Sequence, residues 1–195
     1  MSLMAKLQTR RAAGRPVKVG LIGAGKFGSM FLAQLPRIAG LELAGIADLD
    51  PDRARMALAR THWPDDAADA VFITDSGADL IERAGAEVVI EATGNPIVGI
   101  RHARLAFAAG CHVVMVNVEA DVLAGPMLAQ EAARAAVCYS MASGDQPALV
   151  GELVDWARHN GFEVVAAGKG TKYLPAFHAS TPETVWGHYG LTPEE

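Results

Sequence analysis

The sequence predicts an α/β fold, a doubly wound parallel sheet, and three observations carry that prediction. First, an apolar run, Val17 to Ile22, breaks into Gly23-Ala24-Gly25-Lys26-Phe27-Gly28 and continues as an amphipathic segment from Lys26 to about Ile38. Second, apolar runs of four to seven residues alternate along the chain with helix-patterned segments of eight to sixteen, the order expected of strand–helix–strand units. Third, glycine-containing and polar stretches recur at the carboxyl ends of those runs, the edge on which open α/β sheets bind ligands.

Taken in order, Val17–Ile22 is the first strand. Leu41–Ala47 is the second, closed by Asp48-Leu49-Asp50-Pro51, and residues 52–60 are helical in pattern. Val71–Thr74 is a short third strand, after which Ser76 can cap a helix running to about Arg83. Glu87–Ala92 is nearly continuous in apolar character, as a strand buried on both faces should be. Thr93-Gly94-Asn95-Pro96 ends it, and Ile97–Ala109 is a helix stopped by Gly110. Cys111–Asn117 is a fifth strand followed by a helix over about 121–136. Val137–Ser140 is a sixth, followed by a helix opened by Pro147 and ending near His159. Phe162–Ala167 is a seventh.

The chain has 195 residues, 51% of them hydrophobic, and a formal net charge of −5. No cluster of Lys and Arg offsets that charge, which argues against nucleic-acid and membrane-surface binding. No apolar run reaches the length of a transmembrane helix. Two cysteines, Cys111 and Cys138, with no signal sequence, point to reduced thiols and a cytoplasmic protein. Residues 1–16 are basic and unpatterned and read as a flexible leader. Residues 17–168 form the dinucleotide-binding domain. Residues 169–195 read as the start of a substrate and oligomerisation region that stops before it closes.

Gly23, Gly25 and Gly28, with Lys26 and Phe27 between them, let the backbone approach a pyrophosphate and aim helix N–H groups at it. Asp48 lies twenty residues beyond Gly28, at the end of the second strand, where a carboxylate accepts from the adenosine ribose. The Asp-x-Asp-Pro sequence equally suits a turn or cap residue. A carboxylate there repels a 2′-phosphate and favours NAD, while Arg53 or Arg55 can turn toward such a phosphate. Together these make a Rossmann-type domain that takes NAD(P)H.

Thr93, Gly94 and Asn95 suit the nicotinamide end, against a plain strand-to-helix turn. Asn117, a polar residue at a buried strand end, needs a partner there, whereas Glu119 and Asp121 suit a helix start. Lys169 and Lys172 flank Gly170-Thr171 and suit a substrate phosphate or carboxylate, or a solvated basic loop. His178 and His188 lie beyond them among aromatics. No cluster of His, Cys and Asp has metal-ligand spacing.

Four motifs carry a resemblance. The glycine turn, Glu91-Ala92-Thr93-Gly94-Asn95-Pro96, His112–Asn117 and Gly168–Leu174 resemble the N-terminal part of homoserine-dehydrogenase-like oxidoreductases. Asn117–Pro126 and Lys169–Leu191 resemble the branch with a C-terminal SAF domain, which includes the deoxyxylulose-phosphate-reductoisomerase-like (DRL) enzymes of isoprenoid precursor synthesis. The resemblance implies an NADPH-dependent reduction of a small phosphorylated carbonyl substrate, a possible divalent metal, and a homo-oligomer assembled through the C-terminal region. Two departures point away from homoserine. Val118 stands where homoserine dehydrogenases usually carry lysine, and Lys169-Gly170-Thr171 replaces Asn-Gly-Thr. A homoserine-dehydrogenase-like reaction and a dinucleotide-binding module without catalysis are the alternatives.

Overall fold

A computed structural model of the chain describes residues 2–144, 146–168, 175–184 and 186–187. The chain divides into two compact units, Met1–Asp145 and Gln146–Glu195, earlier than the boundary after residue 168 expected from the sequence.

In the first unit the elements run α1 (Leu3–Ala12), β1 (Val17–Ile22), α2 (Lys26–Gln34), β2 (Leu41–Ala47), α3 (Pro51–Arg60), α4 (Asp65–Asp69), β3 (Phe72–Thr74), α5 (Gly77–Arg83), β4 (Val88–Glu91), α6 (Pro96–Ala108), β5 (His112–Met115), α7 (Val118–Arg134) and β6 (Tyr139–Met141). The six strands form one sheet in the order β3-β2-β1-β4-β5-β6, with every pairing parallel. The order reverses between β1 and β4, the switch point at which ligands of Rossmann-type sheets bind.

Alternation along the strands sends neighbouring residues to opposite faces. Leu21 and Ile90 pack with Leu32, Ala54, Ala57 and Leu58 under α2 and α3. Ile22, Val89 and Met115 pack with Leu80, Ala103, Ala106 and Leu128 under α5, α6 and α7. Leu21, Leu32, Ile46, Leu80, Met115 and Leu128 are fully buried, each contributing about 1.5–3 kcal/mol of transfer free energy. Two packed faces fix the register of every strand, and the register fixes which residues arrive at the carboxyl edge.

Two expectations are corrected. Residues 1–16, expected as a flexible leader, hold a helix: Ser2 caps α1 by accepting from the Ala5 N–H, and Arg10 clamps Glu87 with bonds of 2.7 and 2.8 Å. The helix is short of buried side chains, so its docking was illegible without the distant Glu87. The seventh strand is also absent, because Phe162–Ala167 adopts no strand conformation. In the second unit α8 (Gln146–His159) is followed by Phe162 stacked on Trp156 at 6.5 Å between centroids, and Val165 is 89% exposed. An apolar run becomes a strand only where a sheet edge pairs with it, and among the described residues none pairs with this one.

Candidate functional site

The glycine turn follows from sterics. Gly23 has φ +102°, and a Cβ there would stand 2.6 Å from the Ala92 carbonyl oxygen. A Cβ on Gly28 would run into the Gly23 carbonyl. The turn is therefore pressed between the start of α2 and the end of β4, with room for backbone only. Gly25 is the N-cap of α2 and brings no capping side chain, whereas α1, α3, α6 and α7 are capped by Ser2, Asp50, Asn95 and Asn117. The N–H groups of Lys26 and Phe27, the first helical residues, have no intrahelical acceptor. Both residues and Gly25 are exposed. Uncapped donors and the helix dipole together suit an anion.

Asp48 is 8% exposed, and its carboxylate braces this turn: Oδ2 accepts from the Ala24 N–H at 2.8 Å, and Oδ1 from the Asp50 N–H at 3.0 Å. The Arg53 guanidinium lies 3.8 Å from Oδ1. The cap of α3 belongs to Asp50, which accepts from the Asp52 and Arg53 N–H groups. The two aspartates of Asp-x-Asp-Pro thus divide the work between turn and helix.

Across the switch point, Thr93, Gly94 and Asn95 form an exposed loop above β4. Asn95 accepts from the Val98 N–H with Oδ1 at 3.1 Å and caps α6. Asn117 is 2% exposed and its carboxamide is fully engaged. Oδ1 accepts from the Ala120 N–H at 3.2 Å, while Nδ2 donates to the Asn95 carbonyl at 2.8 Å and to Thr93 Oγ1 at 3.4 Å. Asn117 thus holds the loop that Asn95 sits on. The buried asparagine has the partner its position demanded, and that partner is the backbone of the same site.

Beneath the loop lies a residue that sequence reasoning did not single out. Glu91, the last residue of β4, is fully buried; its Oε1 accepts from the Thr93 hydroxyl at 2.6 Å and pairs with His102 Nδ1 at 3.3 Å. An acidic side chain closing an otherwise apolar strand was the available signal, since a buried polar group demands hydrogen-bond partners. His102 is spaced from the buried Gly99 and Ala106 so that it shares the inward side of α6. At the far side of the sheet, Tyr139 donates to Asp121 at 2.7 Å. Burial, then that bond and the carboxylate charge, push its phenol far above the ordinary range, which makes it a fixed donor.

The anion-binding candidates Lys169 and Lys172 lie outside the described residues, as does His188. His178 lies in the 3-10 turn Pro175–Ala179 of the second unit. Among the described residues no group of His, Cys, Asp and Glu is placed to hold a metal ion, and no helix is long and apolar enough to cross a membrane. Both cysteines are free.

Comparisons with known proteins agree with this architecture. The family model for the oxidoreductase DRL catalytic domain matches residues 144–192. A homoserine dehydrogenase from Thiobacillus denitrificans is similar in structure, with a TM-score of 0.55 and 24% identity over 65% of this chain and 29% of that one. The WlbA dehydrogenase from Bordetella pertussis, in complex with NADH and UDP-GlcNAcA, gives a TM-score of 0.57 and 21% identity over 75% and 44%. Biliverdin reductase from Synechocystis sp. PCC 6803, in complex with biliverdin and NADP+, gives 0.55 and 20% over 74% and 42%. These likenesses establish the fold, and the chain spans less than half the length of each of those structures. No curated protein shows significant similarity to it. The model for the homoserine dehydrogenase NAD-binding domain matches residues 23–141, more than half of the chain and every element from the glycine turn to β6, and the chain belongs to that family.

Proposed function

We propose that the chain is the dinucleotide-binding part of an NAD(P)H-dependent oxidoreductase that acts on a carbonyl or alcohol group of a small, phosphorylated substrate. The observation that carries this reading is the uncapped N-terminus of α2 behind a glycine turn at the switch point of the sheet. Backbone donors without a side-chain cap fit a pyrophosphate, and the absence of Cβ atoms at Gly23 and Gly28 fits its close approach. When bound, the nicotinamide supplies the hydride.

The chain's residues divide the remaining tasks. Gly23, Gly25, Lys26, Phe27 and Gly28 seat the pyrophosphate, and Asp48 holds their turn in shape beside the ribose. Thr93, Gly94 and Asn95 receive the nicotinamide end, with Asn117 fixing the loop from behind. Lys169 and Lys172 hold the substrate anion and polarise its carbonyl, a role supported by the DRL match over 144–192. The same match supports a reductoisomerase-like reaction of isoprenoid precursor synthesis. A carbon-skeleton rearrangement there precedes reduction and commonly uses a divalent metal on the substrate oxygens. The C-terminal region, residues 169–195, joins copies of the protein.

The match over 23–141 favours a second reading, a homoserine-dehydrogenase-like reaction. Assay of the protein from its natural open reading frame separates the two. NADPH oxidation with deoxyxylulose phosphate and Mg²⁺, and none of NADP⁺ reduction with homoserine, is the expected result. The opposite pattern selects homoserine. Dinucleotide binding with turnover of neither points to a non-catalytic binding module and overturns the enzyme reading.

A further inference from the structure

Glu91 and His102 are a buried ionisable pair with no part in the core's apolar packing and no direct access to the anion site. Glu91 has no exposed surface, and the His102 side chain is 13% exposed. Their geometry is directional. Both hydrogen bonds to Glu91 converge on Oε1, from Thr93 Oγ1 and His102 Nδ1, while Oε2 has no partner among the described residues. A buried carboxyl oxygen left unpaired carries an uncompensated desolvation cost, so an acidic side chain kept in this place has a task that an apolar residue would not perform.

The surroundings are cut to admit the pair. A Cβ on Gly99 would stand 2.9 Å from Glu91 Oε2 and 2.7 Å from Asn117 Nδ2, so α6 approaches the carboxylate only because residue 99 is glycine. A Cβ on Gly77 would collide with the His102 imidazole, so α5 likewise makes room for the histidine. Thr93 is where the network meets the site. Its hydroxyl donates to Glu91 and accepts from the Asn95 N–H and from Asn117 Nδ2, both at 3.4 Å. The short bond of 2.6 Å to Glu91 Oε1 orients that hydroxyl.

We propose that Glu91, supported by His102, is a positioning residue that fixes the Thr93–Asn95 loop for the nicotinamide end of the dinucleotide and has no part in binding the pyrophosphate end. The inference rests on the dinucleotide reading above. Its chemistry is a lever from a buried carboxylate through one hydroxyl to an exposed loop.

The test separates the two ends of the ligand. ADP-ribose reaches the glycine turn and lacks the nicotinamide, whereas NADH and NADPH have both. Isothermal titration of Glu91→Gln and Thr93→Val should show reduced-dinucleotide affinity weakened about tenfold, the scale of one charge-assisted hydrogen bond, and ADP-ribose affinity unchanged within about twofold. The emission shift of bound NADH, which reports the nicotinamide's surroundings, should diminish in both variants. Thr93→Ser, which keeps the hydroxyl, should restore both readouts. Parallel weakening of ADP-ribose and NADH, or no change in NADH, would overturn the proposal. Should Glu91→Gln fail to fold, the exposed Thr93→Val and Thr93→Ser pair decides the matter by the same criteria. Wild-type protein that binds ADP-ribose and not NADH sinks this inference alone. Wild-type protein that binds neither sinks the dinucleotide reading, and is seen before any variant is made.

Discussion

Two strand ends, those of β2 and β4, face the same edge of the sheet, and each places a buried carboxylate under a loop. Asp48 braces the glycine turn and Glu91 braces Thr93–Asn95, but they do so differently. The bonds to Asp48 come from backbone N–H groups, one to each oxygen, with Arg53 at 3.8 Å. The bonds to Glu91 come from side chains, Thr93 and His102, and both fall on one oxygen. Backbone donors are present whatever the side chains are, so the glycine turn needs only the one carboxylate of Asp48 to brace it. The other half is held by particular residues on β4, α6 and α7, and is the half that substitution can tune. On the proposed reading, the difference suits a ligand with one constant end, the pyrophosphate, and one reactive end whose placement decides the chemistry.

The comparison breaks most violently at the glycines. Gly23→Ala adds a Cβ 2.6 Å from the Ala92 carbonyl at φ +102°, where an L side chain is strained by about 1–3 kcal/mol before any contact is counted. It touches both halves at once, so affinity for ADP-ribose and for NADPH should fall together by about 100-fold or more, as titration calorimetry would show. Weakening of only one ligand would mean that the two halves do not meet at this residue.

Next in size is Asp48→Ala, which strips the Ala24 N–H of its acceptor in a buried setting. It should cost about 1–3 kcal/mol in denaturant-measured stability and weaken ADP-ribose and NADPH equally. That signature is the reverse of the one expected for Thr93→Val. An Asp48→Ala protein that binds ADP-ribose normally would show that the carboxylate does not hold the turn.

A finer cut lies within the pyrophosphate half. Asp48 is paired with two N–H groups and lies beside Arg53, whose side chain is 54% exposed, so local charge at this point does not exclude a 2′-phosphate. NADPH should bind more tightly than NADH, and Arg53→Ala should remove about threefold to tenfold of NADPH affinity alone, with an effect that shrinks in high salt. Equal losses for NADH and NADPH would place Arg53 away from the 2′ position.

The smallest effect belongs to the opposite edge and serves as its control. Partial burial pushes the Glu87 carboxyl up, but the Arg10 hydrogen bond, the Lys18 N–H and the charges of Arg10 and His112 outweigh it and hold it below the ordinary carboxylate value. A depressed value in the folded state means that the Arg10–Glu87 clamp is fully stabilising above the ordinary carboxylate range and is lost as pH falls through the folded value. Glu87→Gln should therefore cost less than about 1 kcal/mol at neutral pH, with a cost that shrinks as pH falls below the ordinary carboxylate range and with both ligands bound as in the wild type.

Much of this architecture was legible because its causes are local. Val17–Ile22 followed by Gly23, Gly25 and Gly28 announces its strand, turn and helix through sterics within a dozen residues, and Ser76 announces a cap the same way. What was hidden depends on partners far along the chain. Asp48 was placed correctly at the end of β2, but its bond to the Ala24 N–H depends on how the turn curls back over β2. Glu91 reads as the end of an apolar strand until His102, Thr93 and Gly99 are brought around it. Phe162–Ala167 has the composition of a strand and lacks an edge to join. Helix α1 shows nothing in sequence of the Arg10–Glu87 clamp that ties it down.

The central claim is that one dinucleotide spans both braced loops. Backbone amide spectra of ¹⁵N-labelled protein test it most directly. Saturating ADP-ribose should shift the resonances of Gly25, Lys26, Phe27 and Gly28 and leave Thr93, Gly94 and Asn95 in place, while NADPH should shift both sets. Shifts confined to other surfaces, or ADP-ribose moving Thr93–Asn95 as strongly as NADPH does, would contradict the account.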